Sequence, residues 1–331
     1  MSQGSMPRST PRSATTTGKT SDLDRLRARA VWLYYAEGMK QSEIADILGI
    51  TRVSIVRLLA DARRRNEVRI SISSPLAEFA QAEMQLRTKY DIGEVILAPI
   101  HDAQADPTQA IAAAAGAYIS TLIDDNMSVG VGWGRTLHST LPFIEGRTAE
   151  NLKVISLLGG ISQARRFNPA EFAWQFAELF QGEGFLIPAP ALVDSPETRH
   201  ALLERCGLES ILEMADKLDL ALISTGGIAQ LETSYRTGHL SEADRQSLIE
   251  YGAVGDVLYN FIDATGRLVD HPVNQRAISL KLDRLQRARE RVLISGGDSK
   301  YRVMPAAIRA TKPTVLITDE FTAQALLADE G

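Results

Sequence analysis

Four glycine-containing turns each follow a short apolar run, and they hold the residues of this chain best suited to binding a small polar ligand. The turns are Gly130/Gly132/Gly134, Gly159-Gly160, Gly226-Gly227 and Gly296-Gly297. Glycine lets the backbone turn tightly and approach a ligand closely, and the bare N–H groups of such turns attract anions. Several turns of this kind at corresponding ends of one sheet predict a shared ligand cleft.

Charged, hydroxyl and aromatic side chains next to these turns add contacts for a ligand. The stretch Ser295-Gly-Gly-Asp-Ser-Lys300 predicts a turn that leads straight into a helix, with Lys300 in the first helical turn as part of a phosphate seat. Asp256 could hold sugar hydroxyls or cap a turn. The predicted effector-binding residues are Gly130, Gly132, Trp133, Gly134, Arg135, Thr136, Gly159, Gly160, Gly226, Gly227, Asp256, Gly296, Gly297 and Lys300. Whether they grip a phosphate or the hydroxyls of an unphosphorylated polyol stays open.

Catalytic and metal chemistry find little support in the sequence. The five histidines are scattered without the paired spacing of metal ligands, and neither a nucleophile elbow nor a P-loop occurs. The single cysteine, Cys206, excludes an intramolecular disulfide and a cysteine-rich zinc site. We therefore predict no catalytic residue, no metal and no cofactor. An enzyme would have to use Asp256, His138 and Lys300 as acid–base groups, and this alternative is kept for comparison.

A second kind of chemistry, contact with DNA, is predicted near the amino terminus. A helical pattern from Asp22 ends at Gly38, and the next stretch reads Gln41-Ser-Glu-Ile-Ala-Asp-Ile-Leu-Gly-Ile-Thr51. A small residue for close helix crossing, a glycine at the turn and Thr51 as the cap of the following helix are typical of a helix-turn-helix. The second helix should run to about Asn66.

The two faces of that second helix differ in chemistry. Ile55, Leu58, Leu59 and Ala62 repeat at three- and four-residue spacing and should pack inward. The opposite face would enter the major groove, where arginines meet guanine edges or phosphates and valines meet thymine methyls. The predicted DNA-binding residues are Gln41, Thr51, Arg52, Val53, Val56, Arg57, Arg63 and Arg64.

Charge and composition fit a DNA-reading module on a larger body. Residues 1 to 70 hold 13 Lys and Arg against 7 Asp and Glu, although the whole chain of 331 residues carries a net charge of -5. A basic segment of this kind suggests a nucleic-acid partner. With 44% hydrophobic residues the chain can build a sizeable core, and it shows neither a signal peptide nor an apolar run long enough to span a membrane. We expect a cytoplasmic protein without membrane contact.

The elements that position these residues divide the chain into three parts. We predict a disordered arm over residues 1–20, a helix-turn-helix domain over 21–74 that includes a strand or wing at Glu67 to Ser73, and a ligand-binding domain over 75–331. The last domain should begin with a linker helix from Leu76 to Tyr90. Short apolar runs then alternate with helical segments, which predicts a Rossmann-like, doubly wound α/β fold. Ligands bind at the carboxyl ends of such strands, where the glycine turns fall.

Beyond the linker helix, seven apolar runs predict strands, and segments between them predict helices. The predicted strands are Glu94 to Ala98, Ser128 to Val131, Val154 to Leu158, Leu220 to Ser224, Val257 to Ile262, Val292 to Ser295 and Val315 to Thr318. The predicted helices are Thr108 to Ile123, Ala170 to Phe180, Glu242 to Tyr251, Leu280 to Arg289 and Lys300 to Ala310.

Taken together, these motifs resemble the SorC/DeoR group of bacterial sugar-binding transcriptional regulators. The resemblance rests on Gln41 to Leu59, Gly130 to Leu137, Gly255-Asp-Val-Leu-Tyr-Asn-Phe-Ile-Asp263, Ser295 to Lys300, and Leu316 to Leu327, and it runs from about Arg25 to the end of the chain. It implies a helix-turn-helix joined to an effector-binding and oligomerisation domain, over residues 75–331, that is related to sugar-phosphate isomerases and deaminases. It also implies a homodimer or homotetramer that binds double-stranded operator DNA and responds to a sugar, sugar phosphate or polyol. We expect a repressor of a carbohydrate or polyol catabolic operon, and the alternative is a sugar-phosphate isomerase or deaminase.

Overall fold

A computed structural model describes residues 22–65, 67–68, 77–160, 168–228 and 240–329 of the chain. The protein forms two compact units, Met1–Arg69 and Ile70–Gly331. The predicted arm over residues 1–20 and most of the predicted wing at Glu67 to Ser73 lie outside the described residues, and Glu67 and Val68 have no regular secondary structure.

The first unit contains three helices, α1 (Asp22–Tyr35), α2 (Gln41–Leu48) and α3 (Arg52–Arg64). Its core is built from one face of each helix. The buried apolar side chains are Ala30, Ile44, Ala45, Ile55, Leu58 and Leu59. On α3 the inward face also includes Ala62, so the inward face predicted from spacing is confirmed.

The second unit alternates strands and helices along the chain. Its strands are β1 (Glu94–Ala98), β2 (Ser128–Val131), β3 (Lys153–Ser156), β4 (Glu183–Phe185), β5 (Leu220–Ile223), β6 (Gly226–Gly227), β7 (Ala253–Val257), β8 (Asn260–Asp263), β9 (Glu290–Ile294) and β10 (Val315–Asp319). Its α-helices are α4 (Ala77–Tyr90), α5 (Thr108–Leu122), α6 (Arg135–His138), α7 (Pro169–Leu179), α8 (Pro196–His200), α9 (Glu209–Met214), α10 (Glu242–Glu250), α11 (Pro272–Arg276), α12 (Leu282–Leu285), α13 (Met304–Thr311) and α14 (Glu320–Ala328). Single 3-10 turns occur at Leu141–Phe143, Ala215–Lys217 and Asp298–Lys300, and a π-helical turn at Ala201–Arg205.

Seven of these strands form one parallel sheet in the order β1-β10-β9-β5-β2-β3-β4. After β2 the chain continues to β3, which lies on one side of β2, whereas β5 lies on the other side. The order therefore reverses between β2 and β5, and the connections after these strands diverge there, which is the position where doubly wound sheets bind ligands. Apolar clusters cover both faces of the sheet. The predicted doubly wound α/β class is confirmed.

A separate three-stranded antiparallel sheet, in the order β6-β7-β8, replaces the single strand predicted at Val257 to Ile262. The chain reverses at Leu258 and Tyr259, which adopt φ angles of 54° and 56°. Two consecutive positive φ angles produce the tight turn that suits a hairpin, but glycine or asparagine normally occupies those positions. The sequence pattern therefore concealed the turn.

Two predicted helices are shorter in the structure. In the stretch from Leu280 to Arg289 only α12 is α-helical, because Leu280 N–H donates to the carbonyl of Leu157 at 2.8 Å and the chain there is extended. The helix predicted at Lys300 to Ala310 begins only at Met304, with Pro305 at its second position. Proline is tolerated in the first turn of a helix and not in its interior, which explains the later start.

Within the described residues no helix is both long and apolar enough to cross a membrane.

Candidate functional site

The turn between α2 and α3 is fixed by the residues that the sequence singled out. Gly49 adopts φ 66° at the end of α2, and Ile50 N–H donates to the carbonyl of Ala45 at 3.1 Å. The hydroxyl of Thr51 accepts a hydrogen bond from Ser54 N–H at 3.2 Å and so caps α3. This is helix-turn-helix geometry, and it sets the direction in which α3 presents its outer face.

The outer face of α3 carries the predicted base-reading side chains. Arg52, Val53, Val56 and Arg57 are all exposed, with Val53 at 61% and Val56 at 45% of their full accessibility. Exposed valines on an otherwise amphipathic helix gain nothing from folding alone, whereas they would bury apolar surface against thymine methyls in a major groove.

The arginines at the end of α3 have partners within the unit. Arg63 Nε donates to the hydroxyl of Tyr35 at 2.6 Å, and its guanidinium lies 5.8 Å from the centre of that ring. Arg64 pairs with Asp61 at 2.7 Å and stays highly exposed. Arg64 therefore remains accessible to a phosphate, while Arg63 is held against Tyr35.

A groove of about 660 Å³ lies at the start of α2. Gln41 lines it beside Lys40 and Arg52, so one amide and two cations meet there. Glu43 accepts a hydrogen bond from Lys40 N–H at 2.8 Å, which fixes the first turn of α2. Gln41, at the start of α2, and Arg52, the first residue of α3, therefore line the same groove.

In the second unit, the connections after β2, β5 and β9 close into a ring with the start of α5. The nearest non-neighbouring atoms to a methyl built on Gly134 belong to Ser224, 3.9 Å away. Ser295 Oγ lies 3.5 Å from the carbonyl of Thr225. Arg135 completes the ring, because its guanidinium pairs with Asp106 just before α5 at 3.0 Å. We call this ring of loops the candidate effector site.

The three glycines of the first turn serve different purposes. A methyl on Gly130 would lie 2.5 Å from Leu218 and 2.7 Å from Leu157, so this glycine permits core packing inside β2. Gly132 N–H donates to the carbonyl of Leu222 at 2.8 Å and extends the sheet ladder. Gly134, with φ 131°, lies at the start of α6, where a methyl would make only ordinary contact with Ser224, and exposed Arg135 and half-buried Thr136 follow it.

Trp133 directly precedes Gly134 in the connection after β2. Its ring stacks on that of Tyr259 at 5.4 Å with an angle of 11° between the planes. Tyr259 is buried in the positive-φ turn, and its N–H donates to Oδ2 of Asp256 at 2.8 Å. Burial, followed by the charge of Asp256, raises the pKa of Tyr259. Asp256 thus caps the turn beneath Trp133, the second of the two roles that its sequence position allowed.

The Gly296-Gly297 turn differs from the phosphate seat predicted there. Gly297 N–H already donates to Oδ2 of Asp319 at 2.8 Å and to the hydroxyl of Thr322 at 2.9 Å. A methyl on Gly296 would collide with Oδ2 of Asp319. Lys300 belongs to a 3-10 turn before α13 and not to the first turn of an α-helix. The Gly297 N–H therefore has acceptors within the protein, and Lys300 does not follow the helix start that the sequence predicted.

The other two glycine pairs also take part in backbone hydrogen bonding and close packing within the protein. Gly160 N–H donates to the carbonyl of Ala189 at 2.8 Å, and a methyl on Gly159 would collide with the same carbonyl. Gly226 and Gly227 form β6, which pairs with β7.

Three residues that sequence reasoning missed hold the candidate effector site together: Asp106, Tyr259 and Asp319. Asp106 accepts hydrogen bonds from the N–H and the hydroxyl of Thr108 at 3.0 and 2.6 Å, so it holds the first residue of α5 as well as pairing with Arg135. Burial alone would raise the pKa of Asp106, but hydrogen bonds from Thr108 and the charge of Arg135 together lower it. The Asp-Pro-Thr sequence at the start of a helix was a readable capping signal.

The part of the chain described here contains no group of three or more His, Cys, Asp or Glu placed to hold a metal ion.

Both units match families of known proteins. Residues 74–328 match the Sugar-bind family, a sugar-binding domain, and residues 21–65 match region 4 of Sigma-70. The chain is 29% identical to the Deoxyribonucleoside regulator of Bacillus subtilis over 311 residues, which cover 93% of this chain and 99% of that protein. It is 29% identical over 309 residues to the Erythritol catabolism regulatory protein EryD of Brucella abortus, covering 92% and 96% of the two chains.

One solved structure is similar to this chain over nearly its whole length. The full-length Sorbitol Operon Regulator SorC from Klebsiella pneumoniae superposes with a TM-score of 0.69 at 27% identity, covering 93% of this chain and 100% of that one. The sugar-binding family match spans more than half of the sequence, and the helical amino-terminal unit precedes it as in that regulator. The chain therefore belongs to the sugar-binding domain family of SorC/DeoR-type transcriptional regulators.

Proposed function

We propose that this protein is a DNA-binding regulator of a carbohydrate or polyol catabolic operon, and that it acts as a repressor controlled by a small effector. The effector is a sugar, sugar phosphate or polyol that binds at the carboxyl ends of β2, β5 and β9. The relatives that match over nine-tenths of the chain are named as regulators of transcription, which supports a regulator and not an isomerase or deaminase.

The observation that carries the DNA-binding half of this proposal is the outer face of α3. Its inward face is filled by the core, whereas Arg52, Val53, Val56 and Arg57 remain exposed beside the groove at the start of α2. Arg52, Val53, Val56 and Arg57 then read base edges or bind phosphates, and Gln41 and Arg64 position the helix on the backbone. Thr51 acts through its cap on α3, and Arg63 through its contact with Tyr35.

The observation that carries the effector half is the closed ring of loops around Gly134, Arg135 and Thr136. Trp133 offers an aromatic face, Arg135 and Lys300 offer charged donors, and Asp106 offers acceptors. The glycines at 130, 132, 159, 160, 226, 227, 296 and 297 shape the connections around this ring, and Asp256 supports Trp133 through Tyr259.

A helix-turn-helix regulator binds paired half-sites about one DNA turn apart, so we infer a homodimer or homotetramer. The effector would shift the arrangement of subunits and so change the spacing of the two reading helices. Because its proposed partner is operator DNA, we infer that the protein acts in the cytoplasm.

The test is equilibrium binding of the full chain to its own promoter region, measured by fluorescence anisotropy. Arg57→Ala should weaken binding roughly ten- to a hundredfold, since one base or phosphate contact on α3 is removed. Arg205→Ala, an exposed arginine in the other unit, serves as the matched control and should bind as the parent does. If parent and Arg57→Ala bind the promoter equally, or if neither binds, the proposal is wrong.

A further inference from the structure

The groove at the start of α2 has the chemistry of an anion site. Lys40 and Arg52 line it, together with three side chains that can donate hydrogen bonds, those of Tyr34, Gln41 and Ser42. Among the described residues no carboxylate lines this groove. Two cations and several donors in one groove favour a ligand with negatively charged oxygens.

The two cations of the groove are available to such a ligand. Elsewhere in the first unit carboxylates pair with arginines, as Glu67 does with Arg27, and Asp61 with Arg64 and Arg65. By contrast, neither Lys40 nor Arg52 forms an ion pair with any residue that the structure describes. Both side chains are exposed, so an anion that enters the groove can reach them without displacing a carboxylate.

The position of Arg52 on α3 separates it from the residues that point away from the core. Successive residues of an α-helix are ~100° apart, and the four buried side chains of α3 mark its inward direction. By this spacing Val53 and Arg57 lie ~170° and ~150° from the inward direction, whereas Arg52 lies only ~70° from it. Arg52 therefore leaves α3 on its flank, and it lines the groove while Val53 and Arg57 do not.

This arrangement matches the way in which a helix-turn-helix meets DNA. The second helix lies in the major groove of the DNA, while the first helix crosses the phosphate backbone. Lys40 directly precedes α2, and Arg52 is the first residue of α3, so the protein groove adjoins both helices. When Val53 and Arg57 face the bases, a phosphate at the edge of the major groove can meet both cations.

We propose that the groove at the start of α2 binds one phosphate of the DNA backbone through Lys40 and Arg52, and that Arg52 is a positioning residue and not a base reader. This inference rests on the proposed function, since it concerns the same DNA-binding surface. It adds Lys40 to that surface and leaves Val53, Val56 and Arg57 as the residues that contact bases.

The test is equilibrium binding of the full chain to two duplexes, its promoter region and a scrambled duplex of equal length and composition, followed by fluorescence anisotropy at several salt concentrations. Lys40→Gln and Arg52→Gln should each weaken binding to both duplexes by the same factor, roughly tenfold per bound subunit at about 0.1 M salt, because one phosphate contact is lost. The slope of log affinity against log salt concentration should fall by about one per bound subunit. Arg205→Gln, which removes an exposed charge in the other unit, should change neither quantity.

Arg52→Lys distinguishes a phosphate contact from a guanine contact. Lysine binds a phosphate as a point charge, but it does not reproduce the paired hydrogen bonds of an arginine fork on a base. Arg52→Lys should therefore keep the salt slope of the parent and stay within about threefold of its affinity on both duplexes.

Two results would overturn the proposal. One is a loss of affinity in Arg52→Gln or Arg52→Lys that is confined to the promoter duplex, because base reading depends on sequence and a phosphate contact does not. The other is an unchanged salt slope in Lys40→Gln or Arg52→Gln. Thermal unfolding of each variant checks that the first unit remains folded.

Failure of the proposed function gives a different pattern. If the parent binds both duplexes equally while the two glutamine variants lose salt slope, the operator-specific regulator fails and the phosphate contact stands. If the parent prefers its promoter but the salt slope of Lys40→Gln and Arg52→Gln is unchanged, the reverse holds. A parent that binds neither duplex would overturn both.

Discussion

Replacing Asp319 should loosen the candidate effector site and lower the stability of the second unit. The carboxylate is fully buried at the end of β10 and serves two purposes. Oδ1 accepts Phe321 N–H at 3.1 Å and Thr322 N–H at 2.9 Å, which caps α14. Oδ2 accepts Gly297 N–H at 2.8 Å and the Thr322 hydroxyl at 2.6 Å, which ties the turn after β9 to α14.

The size of the effect follows from these bonds. Loss of a helix N-cap costs about 1 kcal/mol, and leaving buried donors without an acceptor costs roughly 1–3 kcal/mol more. Asp319→Ala should therefore reduce the free energy of unfolding by about 2–4 kcal/mol, which corresponds to a fall in melting temperature of roughly 5–15 °C for a unit of this size. Asp319→Asn keeps one cap oxygen but turns an amide toward the Gly297 donor, so it should fall between Ala and the parent.

Differential scanning calorimetry of the full chain measures this prediction, and Asp283→Ala is the matched control because its carboxylate is exposed and only loosely paired with Arg287 at 3.9 Å. The control should melt with the parent. An Asp319→Ala protein that unfolds within 2 °C of the parent would refute the reasoning, because it would mean that neither the cap nor the tie contributes.

Three further predictions concern single contacts elsewhere in the protein. Burial lowers the pKa of His271, whose Nδ1 accepts Val273 N–H at 3.2 Å. The protein should therefore have its full stability above the unfolded pKa near 6.5, and this stability should decline as pH falls below that value. His271→Asn, which caps without titrating, should flatten this decline in melting curves recorded from pH 7.5 to 5.5. Gly130→Ala should cost about 1–3 kcal/mol in urea unfolding, because leucine side chains fill the space beside that glycine, and a neutral result would show that the core yields easily. Thr51→Ala should lower the stability of the first unit by about 1 kcal/mol through loss of the cap to Ser54, whereas Thr51→Ser should retain it; equal melting of the two variants would argue against the cap.

Most of the architecture could be predicted because local signals agreed with the fold. The strands at Glu94–Ala98 and Ser128–Val131 have the predicted bounds, since unbroken apolar runs between turn residues indicate strands buried on both faces. The inward face of α3 followed from spacing alone. In these segments the local conformational preferences of the residues agree with the structure that tertiary packing requires.

The candidate effector site was less predictable because the contacts that build it join residues far apart in the sequence. The glycine turns lie in or near the connections that form the candidate effector site, but at Gly130 and Gly296 the space beside the glycine is taken by core side chains or by Asp319. Asp106 and Asp319 lie far from Arg135 and Gly297 in sequence, so no local pattern joined them. The hairpin at Leu258 was hidden because its residues resemble strand interior.

The Leu258-Tyr259 turn has a consequence for how the protein assembles. Each of these residues holds a left-handed conformation that costs an L-residue about 1–2 kcal/mol, so the isolated stretch should prefer to stay extended. The bend becomes favourable only when Asp256 accepts Tyr259 N–H and Trp133 covers the ring, and Trp133 arrives from a strand more than a hundred residues earlier in the chain. A peptide of residues 253–263, which lacks Trp133, should therefore show no hairpin in solution, so this turn depends on completed folding and not on local sequence alone.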